Sequence, residues 1–400
     1  MKRRDFLIAS ALTAAASGSL GWSGRLFAAP PKDRSRMLVV FLRGGYDCNN
    51  LLVPVASDFY YDARPTLAIA RPDPANDKSA IALDAHWGLN PVLRDSLLPL
   101  WQRKQLAFVP FAGTDDLSRS HFETQDDIES GEAGADRHDY RSGFLARLSA
   151  VMTGVPAIAF TDSLPLSFQG AGEIPNLSLR NDAKPVFDPR QSDILAGMYQ
   201  GTQLASAARD GLALRQQVSQ ALQQEMMQAS RGAASARSFA DETRRMAVLM
   251  RDKYRLGFVD VGGWDTHVNQ GSTDGQLANN LKNLGQGLAA YADALGDDWN
   301  DTVVVVLSEF GRTFRENGDK GTDHGHGTTY WVLGGGVKGG RIAGPQVDVA
   351  QANLLQNRDY PVLTNYRELF GGLLQRMWGL NGTQLEQVFP GAKPKDLQLV

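Results

Sequence analysis

Four segments of this chain are apolar almost from end to end, and each runs into a glycine-rich or acidic loop. Arg36–Leu42 leads into Arg43-Gly44-Gly45-Tyr46-Asp47, and Val303–Leu307 into Ser308-Glu309. Leu106–Phe111 repeats the pattern, as does the shorter Gly257–Val261, which stops at Gly262-Gly263. An apolar run without polar alternation marks a strand buried on both faces, the condition of strands in a parallel sheet covered by helices. Open α/β sheets bind their ligands in crevices beyond the carboxyl ends of the strands. The loops after these four runs are therefore where function is expected.

Helical spacing fills the intervals. Asn90–Gln102 starts with Pro91, a residue suited to the first helical position, and carries Val92, Leu93, Leu97, Leu98 and Trp101. Ser238–Tyr254 and Gln276–Leu295 predict two long helices with one apolar side. Residues 196–236, rich in Ala, Gln and Arg, predict an inserted helical pair, and Ala63–Asp84, with Pro65, Pro72 and Pro74, predicts irregular surface chain. Neither a dinucleotide-binding Gly-x-Gly-x-x-Gly nor a Walker phosphate loop is found. Gly334-Gly335-Gly336 follows the apolar Tyr330–Leu333 but lacks the Lys-Ser/Thr of a phosphate loop, so it predicts a turn. The expected fold is α/β: a doubly wound, mostly parallel sheet sandwiched by helices, with a helical insertion, forming a single domain over residues 30–400.

The chain begins Met1-Lys2-Arg3-Arg4-Asp5-Phe6-Leu7, a twin-arginine start followed by a mildly apolar stretch, Ile8–Ala16, and small residues up to Ala28-Ala29-Pro30. This predicts a leader over residues 1–29, export by the twin-arginine translocase, and a periplasmic or secreted protein. The apolar part is too short to anchor a membrane helix. That route carries proteins already folded, which suits one that acquires a metal ion in the cytoplasm. Cys48, the only cysteine, leaves no internal disulfide to form. A net charge of -3, with 21% charged residues, gives no support for a nucleic-acid or anionic-membrane partner.

Histidine is rare, six in 400 residues, yet three fall among acids in glycine-rich strings. Gly262-Gly263-Trp264-Asp265-Thr266-His267, Ser308-Glu309-Phe310-Gly311-Arg312-Thr313 and Gly321-Thr322-Asp323-His324-Gly325-His326-Gly327 bring Asp265, His267, Glu309, Asp323, His324 and His326 into loops beside buried strands. Asp47, after the first strand, is a further contributor. Carboxylates and neutral imidazoles converging from several loops are what a divalent ion requires, be it zinc, manganese, calcium or magnesium. Taken singly, each also fits a blander role: Asp265 an Asx turn, Glu309 a helix start, the histidine pair a hydrogen-bonded loop brace. Asp265 and His267 face one ion only if the backbone between them is extended.

A second string, Leu117-Ser118-Arg119-Ser120-His121-Phe122-Glu123, has Ser120 and Glu123 at capping-box spacing. A helix N-terminus is also an anion site, where the Ser120 hydroxyl is placed to attack an ester under metal activation. His121 is a candidate ligand or proton carrier. Arg119 and Arg312 are candidates to bind a substrate anion, or to brace loops.

In order along the chain, the leader, Phe41-Leu42-Arg43-Gly44-Gly45-Tyr46-Asp47, Ser120-His121-Phe122, Gly263-Trp264-Asp265-Thr266-His267, Ser308-Glu309-Phe310-Gly311-Arg312-Thr313, Asp323-His324-Gly325-His326-Gly327 and Phe389-Pro390-Gly391 strongly resemble the exported family catalogued as domain of unknown function 1501. The resemblance covers nearly the whole chain after the leader, the 196–236 insert excepted. That family in turn looks like a distant branch of the alkaline phosphatase and sulfatase superfamily. The likeness implies an alkaline phosphatase-like fold and a metal-dependent hydrolase of phosphate or sulfate esters. By position, Asp47 resembles the carboxylate after the first strand, Ser120 the nucleophile, Asp265 and His267 the Asp and His of one metal, and His324 or His326 its later histidine. Glu309 falls where the superfamily has an Asp followed by His, and Phe310 stands in place of that His. The departure keeps a second expectation open, a non-catalytic exported binding or envelope-assembly protein on a degenerate version of the fold.

Overall fold

The computed structural model describes residues 34–133, 140–153, 155–178, 194, 197–202, 204–206, 210 and 239–400. The leader at 1–29 and most of the helical insert at 196–236 lie outside the described residues. The strands are β1 (Arg36–Leu42), β2 (Leu52–Val53), β3 (Ile81–Ala82), β4 (Gly88–Leu89), β5 (Leu106–Gly113), β6 (Ala157–Ala159), β7 (Leu256–Val261), β8 (Thr302–Ser308), β9 (Thr328–Leu333), β10 (Arg341–Ile342) and β11 (Thr364–Asn365). All four apolar runs are strands. The main sheet runs β10-β5-β9-β8-β1-β7-β6, with β11 also paired to β5, and β2-β4-β3 form a small separate sheet.

β1 sits at the centre, in parallel register with β7 (Val39 opposite Phe258) and with β8 (Val39 opposite Val305). Its side chains alternate between two cores, as strand geometry dictates. Met37, Val39 and Phe41 pack with the helices Phe144–Val151, Tyr366–Trp378 and Gly382–Val388; Leu38, Val40 and Leu42 pack with Phe239–Asp252 and Gln276–Leu295. Burial on both sides is why the run has no polar alternation. Each of these side chains contributes roughly 1.5–3 kcal/mol by leaving water, and a charge at Val39 would lie in a core with no counter-ion. On Gln276–Leu295, Leu277, Leu281, Leu284, Leu288, Tyr291 and Leu295 recur every three or four residues and all are buried.

The expected helix Asn90–Gln102 is broken in two, a short 3-10 turn at Pro91–Leu93 and a helix at Leu97–Gln102. Pro99 explains the break. Proline lacks the N–H an interior turn needs but is tolerated in a first turn, so the helix restarts just before it. Ser238–Tyr254 appears as Phe239–Asp252, and Gly334-Gly335-Gly336 is a turn after β9. Among the described residues no helix is long and apolar enough to cross a membrane.

β9 is antiparallel to both β5 and β8, while the other pairings of the main sheet are parallel. The sheet is thus mostly parallel and flanked by helices on both faces. One edge consequently gathers the carboxyl ends of β5, β8, β1 and β7 and the amino end of β9. The strings singled out in the sequence follow or precede those strand ends.

Candidate metal centre

After β7 the backbone is extended: Trp264 and Thr266 are buried while Asp265 and His267 face out, a period of two. Trp264 anchors the segment by donating Nε1–H to the Val261 carbonyl at 2.9 Å. Gly44, in the loop after β1, lies against it. With φ near 123° and a Cβ position only 2.6 Å from the Asp265 amide nitrogen, residue 44 admits no side chain without pushing Asp265 away.

Three imidazoles ring one oxygen of Asp265. Oδ1 stands 2.8 Å from His267 Nε2, 3.4 Å from His324 Nε2 and 3.5 Å from His121 Nε2, and His267 and His324 bring their Nε2 atoms to 3.1 Å. Each ring is tied from behind through Nδ1. His121 donates to Glu309 Oε1 at 2.7 Å, His267 to Asp323 Oδ1 at 3.2 Å, and His324 to the Arg119 carbonyl at 3.0 Å. A neutral ring that donates from Nδ1 presents a bare lone pair at Nε2, and all three Nε2 atoms face inward. This is the way proteins hold histidine as a metal ligand.

The donor set fits a divalent cation. The ligand atoms of His121, Asp265 and His324 all lie within 4.8 Å of one another. In a tetrahedral zinc site with bonds near 2.0–2.1 Å, ligand atoms stand roughly 3.3 Å apart, and the separations above bracket that value. His121 Nε2 is moreover buried and lacks any hydrogen-bond partner, since 3.5 Å to Asp265 is too long for one. A buried polar atom without a partner costs roughly 1–3 kcal/mol, which a bound cation would offset. The side chains of Asp265 and His267 are 44% and 41% exposed, so the site opens to solvent.

Charge around the centre is graded. Burial works against protonating His121, but the hydrogen bond and charge of Glu309 outweigh it and hold its pKa above the ordinary range. His324 is shifted down, first by burial and then by the charge of His121. Glu309 is fully buried, which alone would raise it, yet hydrogen bonds from His121, Gln125 and Ser308 keep it below the ordinary value and ionised. Asp265 is likewise lowered, the Arg312 contact overcoming desolvation. Arg312 is buried, donates Nη1–H to Asp265 Oδ1 at 2.8 Å, and keeps Nη2 without a partner. Phe310 stands against His121 and His324 with ring centroids 4.8 and 5.2 Å apart, a wall of the site.

Not every residue singled out in the sequence joins the cluster. Asp47 is buried behind it, paired with Arg64 at 2.6 Å and accepting from Gln270 Nε2 at 2.6 Å, so its charge is already neutralised. His326 follows Gly325, whose Cβ position lies 2.5 Å from the Arg312 backbone; the chain bends at His326 and buries it near Asp115, Asp116 and Arg119. Arg119 spends its guanidinium on Asp359 and Gln356 and takes part through its carbonyl, in a left-handed backbone conformation (φ 54°). Asp323 orients His267 from behind. Ser120 is the residue before the helix His121–Ser130, but its hydroxyl makes no capping hydrogen bond, so the expected capping box is not formed. Glu309 likewise supports His121 from behind. Sequence reading missed Gln125, whose spacing of four from His121 on one helix was the available signal.

No curated protein matches the sequence. Among solved structures, the chain is similar to a protein in the alkaline phosphatase superfamily from Vibrio parahaemolyticus, at 11% identity and TM-score 0.42, covering 94% of this chain and 76% of that one. It is similar to a lipoteichoic acid synthase from Listeria monocytogenes, at 9% identity and TM-score 0.38, covering 97% and 81%. It is also similar to the soluble domain of a lipooligosaccharide phosphoethanolamine transferase from Neisseria meningitidis, at 13% identity and TM-score 0.33, covering 76% and 78%. The family described as "Protein of unknown function (DUF1501)" matches residues 34–389, and the chain belongs to that family.

Proposed function

We propose that the chain is an exported, metal-dependent hydrolase of phosphate or sulfate esters. The observation that carries the reading is the convergence of three Nε2 lone pairs on Asp265 Oδ1 at 2.8, 3.4 and 3.5 Å, each ring tied from behind by an acceptor at Nδ1. His121, Asp265 and His324 would hold the ion, with His267 beside it. When bound, the ion supplies Lewis-acid polarisation of an ester oxygen and lowers the pKa of a coordinated hydroxyl or water. Glu309 and Asp323 orient the rings. Arg312, a buried guanidinium on Asp265, adds positive charge where an anionic ester would sit. Ser120, at the start of a helix and free of a capping bond, is the proposed nucleophile, aided by the helix N-terminus. The twin-arginine start, and the likeness of the sequence motifs to the alkaline phosphatase and sulfatase superfamily, support export and the ester substrate.

A second reading, an exported binding or envelope-assembly protein without turnover, is favoured by two observations. Phe310 walls the site where a ligand would serve, and Asp47 is locked to Arg64. Purified, exported protein assayed on a panel of chromogenic phosphate and sulfate esters separates the two. Turnover that depends on added Zn²⁺ or Mn²⁺ and disappears in Ser120→Ala supports the hydrolase; tight metal binding with no turnover above Ser120→Ala supports the second reading.

A further inference from the structure

The helix His121–Ser130 carries His121, Gln125 and Glu129 at successive intervals of four, which places them as rungs on one face. Each rung is bonded to the sheet edge. His121 donates to Glu309 Oε1 at 2.7 Å. Gln125 donates Nε2–H to the same Oε1 at 2.8 Å and accepts from Arg43 Nη1 at 2.9 Å. Glu129 accepts from Arg43 Nη2 at 2.8 Å and, through its other oxygen, from the amide and hydroxyl of Ser167 at 3.0 and 2.9 Å. Arg43, the first residue after β1, also donates to Asp260 of β7 at 2.7 Å.

The amide of Gln125 has one workable orientation. Its oxygen faces a guanidinium and its nitrogen a carboxylate, and a flip would set donor against donor and acceptor against acceptor. Glu309 Oε1 also accepts from the Gly44 amide at 2.8 Å, while Ser308 donates to Oε2 at 2.8 Å. With Glu309 thus pinned, the bond from Nδ1 holds the His121 ring with Nε2 3.5 Å from Asp265 Oδ1. From this geometry we infer that Gln125 is a positioning residue of the metal centre, transmitting the fixed place of Arg43 at the end of β1 to Glu309 and so to the ring of His121. The inference rests on the metal-centre reading. Supporting contacts behind a metal-bound histidine typically govern metal affinity by ten- to hundredfold.

The test is calorimetric titration of the full chain with Zn²⁺ alone, together with ¹⁵N-histidine NMR of the metal-free protein, for wild type, Gln125→Leu and Gln125→Glu. Gln125→Glu is isosteric and keeps the acceptor for Arg43, but it replaces the donor to Glu309 with a second carboxylate. Both variants are expected to lose roughly tenfold or more in Zn²⁺ affinity and to show a changed Nδ1/Nε2 protonation pattern at His121, with the far-ultraviolet spectrum retained. Should Gln125→Leu fail to fold, Gln125→Glu decides alone. Wild-type affinity and an unaltered His121 pattern in the variants would overturn this inference while leaving the metal centre standing. A wild-type chain that takes up no Zn²⁺ would overturn both.

Discussion

His267 and His324 face each other Nε2 to Nε2 at 3.1 Å, although each ring already donates its Nδ1–H elsewhere, to Asp323 and to the Arg119 carbonyl. Two neutral rings so placed oppose lone pair to lone pair, which a proton or a metal ion between them relieves. The same holds between His267 Nε2 and Asp265 Oδ1 at 2.8 Å, an oxygen that Arg312 meets from elsewhere as a donor, also at 2.8 Å. On the proposed reading the arrangement holds a cation, and protons compete with metal for the place.

That competition sets a pH dependence. The pKa of His121 is held above the ordinary histidine value by Glu309, so its proton must leave before Nε2 can serve as a ligand. Zn²⁺ uptake near neutral pH is expected to release protons, seen as a binding enthalpy that changes with the ionisation enthalpy of the buffer. Affinity should weaken steadily as pH falls from about 8 to about 6, through the range where histidine titrates. A pH-independent affinity would remove His121 from the ligand set.

Glu309→Gln keeps size and removes charge. The amide opposes its own nitrogen or a weaker acceptor to His121, Gln125, Ser308 and the Gly44 amide. A loss of roughly ten- to hundredfold in metal affinity is expected, with a fall of about 1–3 kcal/mol in urea-unfolding stability from the buried donors left poorly matched.

Asp47 behaves oppositely. Its pair with Arg64 is wholly buried, at 0% exposure for both side chains. Removing one member of such a pair strands the other, at a cost of roughly 3–5 kcal/mol. Arg64→Met should therefore destabilise the fold strongly by chemical denaturation. Asp47→Asn, which retains hydrogen bonding, should destabilise it less and leave Zn²⁺ affinity close to wild type. A collapse of metal affinity in a folded Asp47→Asn protein would return Asp47 to the ligand set.

His326 gives stability its own pH profile. Burial pushes its pKa down to about 4 from an ordinary value of 6.5. The folded chain therefore binds this proton less readily than the unfolded chain. The contribution is complete above pH 6.5 and is lost as pH falls toward about 4, reaching roughly 3 kcal/mol. His326→Gln, neutral throughout, should show a shallower decline over that window in urea titrations at successive pH values.

Much of the frame was legible because it depends on local pattern. The runs at β1, β5, β7 and β8 read as buried strands since both their faces are covered, and Gln276–Leu295 reads as a helix since its leucines recur at three and four. The antiparallel direction of β9 was not legible, because a short apolar run carries no sign of which way it pairs. Within the site, Asp265 and His267 followed from extended backbone. Asp47 did not: its partners Arg64 and Gln270 lie 17 and 223 residues away, and only the tertiary fold shows that its charge is taken. His326 stands two residues from His324, yet the close approach of Gly325 to Arg312 bends the chain between their environments. Gln125 and Arg43 were passed over because polar residues on a helix face and at a strand end usually meet water.

The metal content of the full chain, purified without added metal and measured by elemental analysis beside an Asp265→Ala/His324→Ala double variant, is the most direct test. A stoichiometric divalent ion in the wild type, absent from a folded double variant, is the predicted result. Protein that carries no ion and takes none up on addition of Zn²⁺ or Mn²⁺, or a double variant that retains the wild-type content, would contradict the account.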